Sequence, residues 1–318
     1  MRDAFFRGLL RAAANDKRIF FLTADLGFGA AEEFRQHFPE RFINVGVAEQ
    51  NMTGVAAGLA LAGKTVFTYS IANFPTLRCL EQIRADVCCH NANVKIVAVG
   101  GGLAYGALGP SHHATEDLAV LRALPHLTVV APGDPLEAEQ ATAAIAAHDG
   151  PCYLRLGRAG EPAVHHSLRF TLGRAVAVRR GGDVSLIATG AMLPVAVQTA
   201  DQLLNDGIEA GVWSMHTLKP LDSEAVLQAA RSGAVFTVEE HSIIGGLGSA
   251  VAEVLAEAAF SGVFRRIALP DRFAPCAGSA EYLRRLSGLD AGSIRERIRG
   301  EIGSRRPKGV AVEAAARG

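Results

Sequence analysis

Several features are missing from this sequence, and each absence excludes a class of protein. Lysine plus arginine number 32, as do aspartate plus glutamate, so no net charge would attract nucleic acid or an anionic membrane. No apolar run reaches the ~18 residues of a membrane span, and Asp3, Arg7 and Arg11 interrupt any N-terminal signal core. We therefore expect a protein that is neither secreted nor membrane-bound and does not bind nucleic acid.

Cysteine is scarce and irregularly spaced. The five cysteines form no Cys-x-x-Cys pair, and an odd number cannot all pair with one another. This pattern argues against a disulfide scaffold and against a cysteine-based zinc site. It favours a reducing, cytoplasmic setting.

Short apolar runs alternate with helical stretches along the whole chain. The predicted strands are 19–24, 65–68, 94–99, 128–131, 152–156, 184–188, 210–213, 234–238 and 266–268. The predicted helices are 49–61, 75–90, 116–124, 135–147, 193–205, 223–231 and 247–260. Nearly all-apolar strands separated by helices predict an α/β fold of two domains, each a mostly parallel sheet flanked by helices. Ligands of such sheets lie at the carboxyl ends of the strands.

A polar stretch at 160–167 interrupts this alternation. We place the domain boundary there, with a first domain at 1–162 and a second at 163–303. Residues 304–318 are expected to form a flexible tail.

One carboxylate, Glu49, stands at the start of a predicted helix. An isolated glutamate at that position is ordinarily a solvated charge that the helix dipole favours. Its surroundings are more specific, because Gly54 and Gly58 follow one turn apart and leave room for another backbone. The whole segment reads Gly46-Val-Ala-Glu-Gln-Asn-Met-Thr-Gly-Val-Ala-Ala-Gly58.

Further motifs follow in order along the chain. They are Tyr69-Ser-Ile-Ala-Asn-Phe74-Pro, Gly109-Pro-Ser-His112-His113, Ala131-Pro-Gly-Asp134, Arg155-Leu-Gly-Arg158 and Glu239-Glu240-His241. Together with the Glu49 segment, they resemble the pyrimidine-binding and C-terminal domains of the transketolase family. The resemblance extends nearly to residue 300, and several separated motifs in the same order are more specific than any one of them.

The resemblance implies thiamine diphosphate as cofactor, with Glu49 as the catalytic carboxyl on its aminopyrimidine ring. Such a group must share a proton near neutral pH, which an apolar surrounding shielded from water favours. Phe74 is the better candidate for stacking on that ring and Tyr69 the weaker one. Both could instead be core aromatics, as most phenylalanines and tyrosines are.

The same resemblance assigns substrate contacts. His112 is a catalytic, substrate-facing residue that exchanges protons with sugar oxygens, and His113 is its neighbour in the loop. Arg158, and more weakly Arg2, could bind a distal anion of the substrate. A surface salt bridge is the alternative for both arginines. We expect no metal ligands on this chain.

Three positions depart from the family pattern. Leu108 stands where transketolases of ordinary sugar phosphates usually carry an acidic residue. A histidine that helps to hold the acceptor phosphate in those enzymes is replaced near Gly100, and a serine in the first strand-end loop is replaced by Gly29. The substrate could therefore differ from a standard pentose or hexose phosphate.

The sequence also lacks the Gly-Asp-Gly segment, followed about 30 residues later by an asparagine turn, that holds Mg²⁺ and the diphosphate in this superfamily. The resemblance thus implies that Mg²⁺ and the diphosphate are bound by a separate N-terminal subunit. Two copies of each chain form the simplest closed assembly.

The leading interpretation is the C-terminal subunit of a split transketolase, which moves a two-carbon ketol unit from a ketose to an aldose. One alternative is the beta subunit of a 2-oxo-acid dehydrogenase component that depends on lipoyl transfer. A relative of deoxyxylulose-phosphate synthase is less favoured, because that enzyme normally keeps its domains in one chain. A non-catalytic partner subunit is a fourth, although Glu49 and Phe74 are both present.

Overall fold

The computed structural model describes residues 1–27 and 29–303, so the predicted tail at 304–318 lies outside the described residues. The strands, in chain order, are β1 (Ile19–Thr23), β2 (Phe42–Asn44), β3 (Thr65–Ile71), β4 (Val94–Val99), β5 (Thr128–Val130), β6 (Cys152–Leu156), β7 (Val176–Arg179), β8 (Val184–Ala188), β9 (Ala210–Ser214), β10 (Thr217–Lys219), β11 (Ala234–Ser242) and β12 (Val263–Leu269). The helices are α1 (Arg2–Asn15), α2 (Glu32–His37), α3 (Glu49–Leu61), α4 (Leu80–Gln82), α5 (Asp117–Arg122), α6 (Pro135–Ala147), α7 (Leu193–Asn205), α8 (Ser223–Ala230), α9 (Leu247–Glu257), α10 (Ala280–Leu286) and α11 (Ala291–Gly303).

The strands form two sheets, which confirms the predicted fold class. The first has the order β10-β5-β6-β4-β3-β1-β2 and the second β12-β11-β8-β9-β7. All pairs are parallel except β10 with β5 and β7 with β9. Each predicted strand has a counterpart, whereas β2, β7 and β10 were not predicted. The edge strand β10 comes from the second half of the chain yet completes the first sheet, so the chain crosses between the sheets more than once.

Parallel pairing aligns the carboxyl ends of the central strands of the first sheet. Ile71 of β3 lies beside Val99 of β4, which in turn lies beside Leu156 of β6. Thr23 of β1 lies between Asn44 and Tyr69. The loops that follow these strands therefore open along one edge, and they carry the motifs found in the sequence.

The prediction of one regular helix over residues 75–90 is wrong. Residues Leu77–Cys79 form a 3₁₀ turn, α4 is a single turn, and Ile83–Cys88 is π-helical. At the start, the Thr76 hydroxyl donates to the Ala72 carbonyl and the Cys79 thiol donates to the Phe74 carbonyl. Such side-chain bonds compete with the regular helical pattern, and π-helical segments are frequent near functional sites.

A buried ionic network joins the two sheets. The Arg155 Nε donates to Asp117 Oδ2 at 2.8 Å, and the Tyr153 hydroxyl donates to the same oxygen at 2.5 Å. The Arg155 Nη2 also donates to the backbone carbonyls of Ala114 (2.7 Å) and Glu240 (3.0 Å). Because Arg155 lies on β6 and Glu240 on β11, these bonds tie one sheet to the other. We call Asp117, Tyr153, Arg155 and Glu240 the inter-sheet joint.

The Glu239-Glu240-His241 motif supports this joint from the second sheet. Glu239 accepts from the backbone N–H groups of Leu247 and Gly248 at 2.7 Å each, which caps the start of α9. The His241 Nε2 lies 3.2 Å from the backbone N–H of Ala119 on α5. The motif is therefore structural in this chain, since its side chains bind backbone groups of neighbouring elements.

A second buried polar group fixes the segment between the sheets. Asp134 caps α6 through the Glu137 N–H and also accepts from the N–H groups of Val164 and His165. Burial alone would raise the pKa of Asp134, but the hydrogen bonds from His165 and these backbone groups lower it to about 2. Nearby, His216 stacks on Phe170 with ring centroids 4.1 Å apart, and burial lowers the pKa of His216 to about 4.

Among the helices of residues 1–27 and 29–303, none is both long enough and apolar enough to span a membrane.

Candidate active site

Glu49 is the first residue of α3, at the edge where the strands of the first sheet end. Its side chain is only 3% exposed. The Oε2 atom accepts from Arg78 Nη1 at 2.8 Å. The Oε1 atom has no hydrogen-bond partner among the described residues. A buried carboxylate with one oxygen held and the other free is suited to bind a ligand N–H.

Arg78 connects Glu49 to the aromatic residue predicted to stack on the cofactor. Its guanidinium carbon lies 4.5 Å from the centroid of the Phe74 ring, a cation–π contact. The other neighbour of that half-buried ring is His112, with ring centroids 5.2 Å apart and planes at 67°. The structure thus brings together Glu49, Phe74 and His112, with Arg78 as the link. We call these four residues the Glu49 cluster.

The His112 loop is attached to the Phe74 loop by its backbone. Asn73 Nδ2 donates to the Ser111 carbonyl at 2.9 Å. The Ser111 hydroxyl lies 3.0 Å from His112 Nδ1, while Nε2 has no hydrogen-bond partner among the described residues. His112 therefore presents one ring nitrogen for exchange with a ligand, and the other is oriented by its neighbour.

Tyr69 does not belong to the Glu49 cluster, which corrects its assignment to the cofactor. It is 2% exposed and packs among Phe5, Phe6 and Phe21, with ring centroids 6.0, 5.3 and 5.9 Å away. Burial raises the pKa of its hydroxyl. As the fifth residue of β3 it points to the face covered by α1, so its ring is a core aromatic.

The structure places His113 apart from the Glu49 cluster, so its assignment to the substrate stays a prediction. It is 5% exposed, and its Nε2 lies 3.4 Å from the Gly106 carbonyl. The ring lines a cavity of about 260 Å³ with Thr115, Asp271 and Arg272, and none of Glu49, Phe74 and His112 contributes to that cavity. His112 ends the 3₁₀ turn Pro110–His112 and His113 follows it with extended backbone, and only His112 contacts the Glu49 cluster.

The two arginines predicted to bind an anion lie in different surroundings. Arg158, just after β6, is exposed, and its guanidinium carbon lies 5.3 Å from the Tyr105 ring centroid. Arg2 is about one-third exposed, and its Nε donates to Asp3 at 3.0 Å. The surface salt bridge considered for Arg2 is therefore present, whereas no ion pair engages Arg158 within the described part of the chain.

The three departures from the family pattern are all at this edge. Leu108 is 54% exposed, and Gly29 is exposed with open space where a side chain would point. Gly100 is buried at a φ of +86°, and a Cβ built there would lie 2.1 Å from the Tyr105 ring. The first two positions are open, and the third is filled by an aromatic ring.

Sequence reasoning missed Arg78 and Tyr105. Arg78 lies four residues after Phe74, but Phe74 precedes the predicted helix 75–90 and Leu77–Cys79 is a 3₁₀ turn, so helical spacing did not indicate their contact. Tyr105 contacts Gly100 and Arg158 through the folding of two loops, and no local pattern indicates that. No three histidine, cysteine or acidic side chains within the described ranges are grouped so that they could hold a metal ion.

Comparisons with known proteins identify the family of this chain. Residues 1–160 match the family described as transketolase, pyrimidine binding domain, and residues 173–294 match transketolase, C-terminal domain. The 6-deoxy-6-sulfo-D-fructose transketolase subunit SqwH of Clostridium sp. (strain MSTE9) is 43% identical, with 92% of each chain covered. A subunit of the apulose-4-phosphate transketolase of Phocaeicola vulgatus is 40% identical over 80% of this chain and 83% of that one.

A solved structure also resembles the whole chain. It is described as a split gene transketolase, inactive beta4 tetramer, and superposes with a TM-score of 0.86 at 39% identity, covering 96% of this chain and 98% of that one. These similarities extend over both sheets. The chain therefore belongs to the transketolase family, with the pyrimidine-binding and C-terminal domains of that family.

Proposed function

We propose that this chain is the subunit of a thiamine-diphosphate-dependent transketolase that activates the cofactor's pyrimidine ring. The complete enzyme would transfer a two-carbon ketol unit from a ketose to an aldose. The observation that carries the proposal is the buried Glu49 carboxylate, whose Oε1 has no partner among the described residues and whose Oε2 binds Arg78, the residue that also contacts the half-buried Phe74 ring. That pairing fits an aminopyrimidine, which offers a flat face and a ring nitrogen at its edge.

Each residue of the Glu49 cluster has a defined task. When bound, thiamine diphosphate supplies the nucleophilic carbon for ketol transfer. Glu49 would hold the pyrimidine ring by a hydrogen bond at Oε1, while Arg78 fixes the other carboxylate oxygen. Phe74 would pack against the ring face.

Substrate contacts come from the loops that follow β4 and β6. His112 Nε2 donates to, or accepts from, the hydroxyl and carbonyl oxygens of the sugar. Arg158, which follows β6 and has no acceptor or ion-pair partner in the described part of the chain, binds an anion at the distal end of the substrate. Arg2 would contribute charge to the same region, less directly because Asp3 engages it.

We also propose that a second chain, the N-terminal diphosphate-binding subunit, provides the Mg²⁺ ligands and completes the site. Two copies of each chain would form the assembly. The relatives named as transketolase subunits support this, and the solved split-gene relative is described as inactive in its beta4 form. The five cysteines are free thiols, in keeping with a reducing, cytoplasmic setting.

The test is ketol transfer by this chain co-purified with its diphosphate-binding partner, with thiamine diphosphate and magnesium present. We expect Glu49→Ala to reduce turnover at least ~100-fold, a loss of more than about 2.7 kcal/mol in transition-state stabilisation. Glu33→Ala is the matched control, because Glu33 is an exposed carboxylate on α2 outside the cluster. Full activity in a folded, cofactor-binding Glu49→Ala complex would show that the site assignment is wrong.

A donor panel in the same assay separates the alternative functions. Turnover of a ketose with an aldose acceptor supports transketolase. Turnover of a 2-oxo acid that requires a lipoyl acceptor would support the dehydrogenase subunit instead. Assembly without turnover of any donor would favour a non-catalytic partner subunit.

A further inference from the structure

Tyr105 occupies the space that a side chain at position 100 would fill. A Cβ built on Gly100 would lie 2.1 and 2.2 Å from two carbons of the Tyr105 ring, far inside any real contact distance. The backbone of Gly100 is also in the left-handed region, at a φ of +86°, which disfavours other residues. Gly100 and Tyr105 therefore act as a pair, because the ring can lie here only while residue 100 has no side chain.

The same ring is the contact that orients Arg158. The guanidinium carbon lies 5.3 Å from the ring centroid, within the range of a cation–π contact. Over residues 1–27 and 29–303, Arg158 has neither a hydrogen-bond acceptor nor an ion-pair partner. An exposed arginine without a carboxylate partner keeps its five N–H donors for a ligand, and the ring limits where they point.

The Tyr105 ring and Arg158 together form a wall at this edge. Tyr105 is half-buried, and Arg158 beside it is exposed. An aromatic wall with a guanidinium that no acceptor of residues 1–27 and 29–303 engages is a setting for a tetrahedral anion.

We propose that Tyr105 is a specificity-determining residue that, with Arg158, selects substrates with a phosphate or sulfonate at the end distant from the carbonyl. This inference rests on the proposed ketol transfer. A ketose that loses two carbons leaves an aldose behind, so by microscopic reversibility the distal groups of donor and acceptor use the same wall. The ring substitutes for a polar side chain at position 100 by shaping the pocket and holding the arginine.

The experiment uses the complex with the diphosphate-binding partner and a pair of acceptors that differ only in charge, D-glyceraldehyde 3-phosphate and D-glyceraldehyde. We expect Tyr105→Ala to raise the KM for the phosphorylated acceptor at least ~10-fold, with a much smaller change for the uncharged one. Tyr105→Phe should restore the preference for phosphate, since the ring and not the hydroxyl contacts Arg158. Tyr282→Ala removes an exposed ring on α10 and serves as the matched control.

A double variant tests whether the ring acts through the arginine. If it does, Tyr105→Ala combined with Arg158→Gln should be no worse toward the phosphorylated acceptor than Arg158→Gln alone. Additive losses would overturn the positioning role. An unchanged charge preference in Tyr105→Ala would overturn the inference as a whole.

Two further comparisons complete the design. Two donors, 6-deoxy-6-sulfo-D-fructose and D-fructose 6-phosphate, show by their KM values whether the wall prefers a sulfonate or a phosphate. We expect Tyr105→Ala to raise the KM for both donors. The two proposals fail in different ways. If only this inference is wrong, Glu49→Ala still abolishes turnover while Tyr105→Ala leaves selectivity intact. If the proposed function is wrong, Glu49→Ala remains active.

Discussion

The Glu49 cluster and the inter-sheet joint are both built on a buried carboxylate at the start of a helix that binds an arginine, yet they are completed differently. In the joint, Arg155 and Asp117 are 5% and 0% exposed, and Arg155 binds a carboxylate and two carbonyls of the same chain. In the cluster, Glu49 is equally buried, but its partner Arg78 is 47% exposed. Asp117 and Glu49 each have one oxygen without a hydrogen-bond partner among the described residues, so the difference lies in the arginine. The arginine of the joint is buried and engaged within the chain, whereas the arginine of the site lies open to another molecule.

This difference predicts where a substitution affects stability and where it affects activity. A buried charge that loses its partner has no water to replace it, so it destabilises the fold. A charge at an open edge is solvated by water when its partner is removed. Loss of that partner should therefore lower activity rather than stability. The following variants test that division, in order of decreasing effect.

Arg155→Met should have the largest effect, because it leaves the Asp117 carboxylate buried and unpaired. We expect the free energy of unfolding to fall by about 3–5 kcal/mol in denaturant titration. Arg158→Met, three residues further along and exposed, should change it by less than about 0.5 kcal/mol. Equal destabilisation by the two variants would break the comparison.

His216 should make the region between the sheets sensitive to acid. Its folded pKa is about 4 because it is buried, whereas an exposed histidine titrates near 6.5. The folded state binds fewer protons than the unfolded state between these two pKa values. The free energy of unfolding is therefore highest above about pH 6.5 and falls by up to about 3 kcal/mol as the pH drops to about 4. We expect His216→Gln to lose less stability than the unaltered protein between about pH 7 and about pH 4.5. Parallel pH curves of the two proteins would contradict this.

Arg78→Gln should affect the cluster without affecting the fold. It removes the cation that holds Glu49 Oε2 and covers the Phe74 ring. We expect a loss of about 10-fold in kcat/KM, or about 1.4 kcal/mol, with a higher half-saturating concentration of thiamine diphosphate. Arg84→Gln, an exposed arginine in the same helical stretch, is the control. Cofactor saturation unchanged in Arg78→Gln would remove Arg78 from the site.

The smallest effects should separate Phe74 from Tyr69. Phe74→Leu loses an aromatic contact worth about 0.5–1.5 kcal/mol and should weaken cofactor binding accordingly. Tyr69→Phe keeps the core packing, so cofactor binding should stay within a few tenths of a kcal/mol of the unaltered protein. Fluorescence titration with thiamine diphosphate measures both, and the reverse order of effects would restore Tyr69 to the site.

The sequence predicted most strands and helices, because the strands are buried on both faces and read as continuous apolar runs. It did not predict β2, β7 or β10, since strands of three or four residues at the edges are too short to show a period. The prediction of Tyr69 as a cofactor contact was wrong for a related reason. Alternation along β3 decides which face a side chain lies on, and the face is known only once α1 is packed there.

The site shows the same limit. Glu49, Phe74 and His112 could be proposed together from motif order, although they come from three separate segments of the chain. Arg78 and Tyr105 could not, because their roles depend on contacts between loops that the motifs do not encode. His113 illustrates how adjacent residues separate, since the loop after β4 turns one histidine to the cluster and the other inward.

The claim that a second polypeptide completes the Glu49 site is most directly tested by asking whether this chain catalyses ketol transfer alone. The isolated chain would be assayed with thiamine diphosphate and magnesium, and then titrated with the purified diphosphate-binding chain. We expect no turnover from either chain alone, and a rate that rises with added partner and levels off at equal numbers of the two chains. Ketol transfer by the isolated chain at the rate of the mixture would contradict a site completed by a second polypeptide.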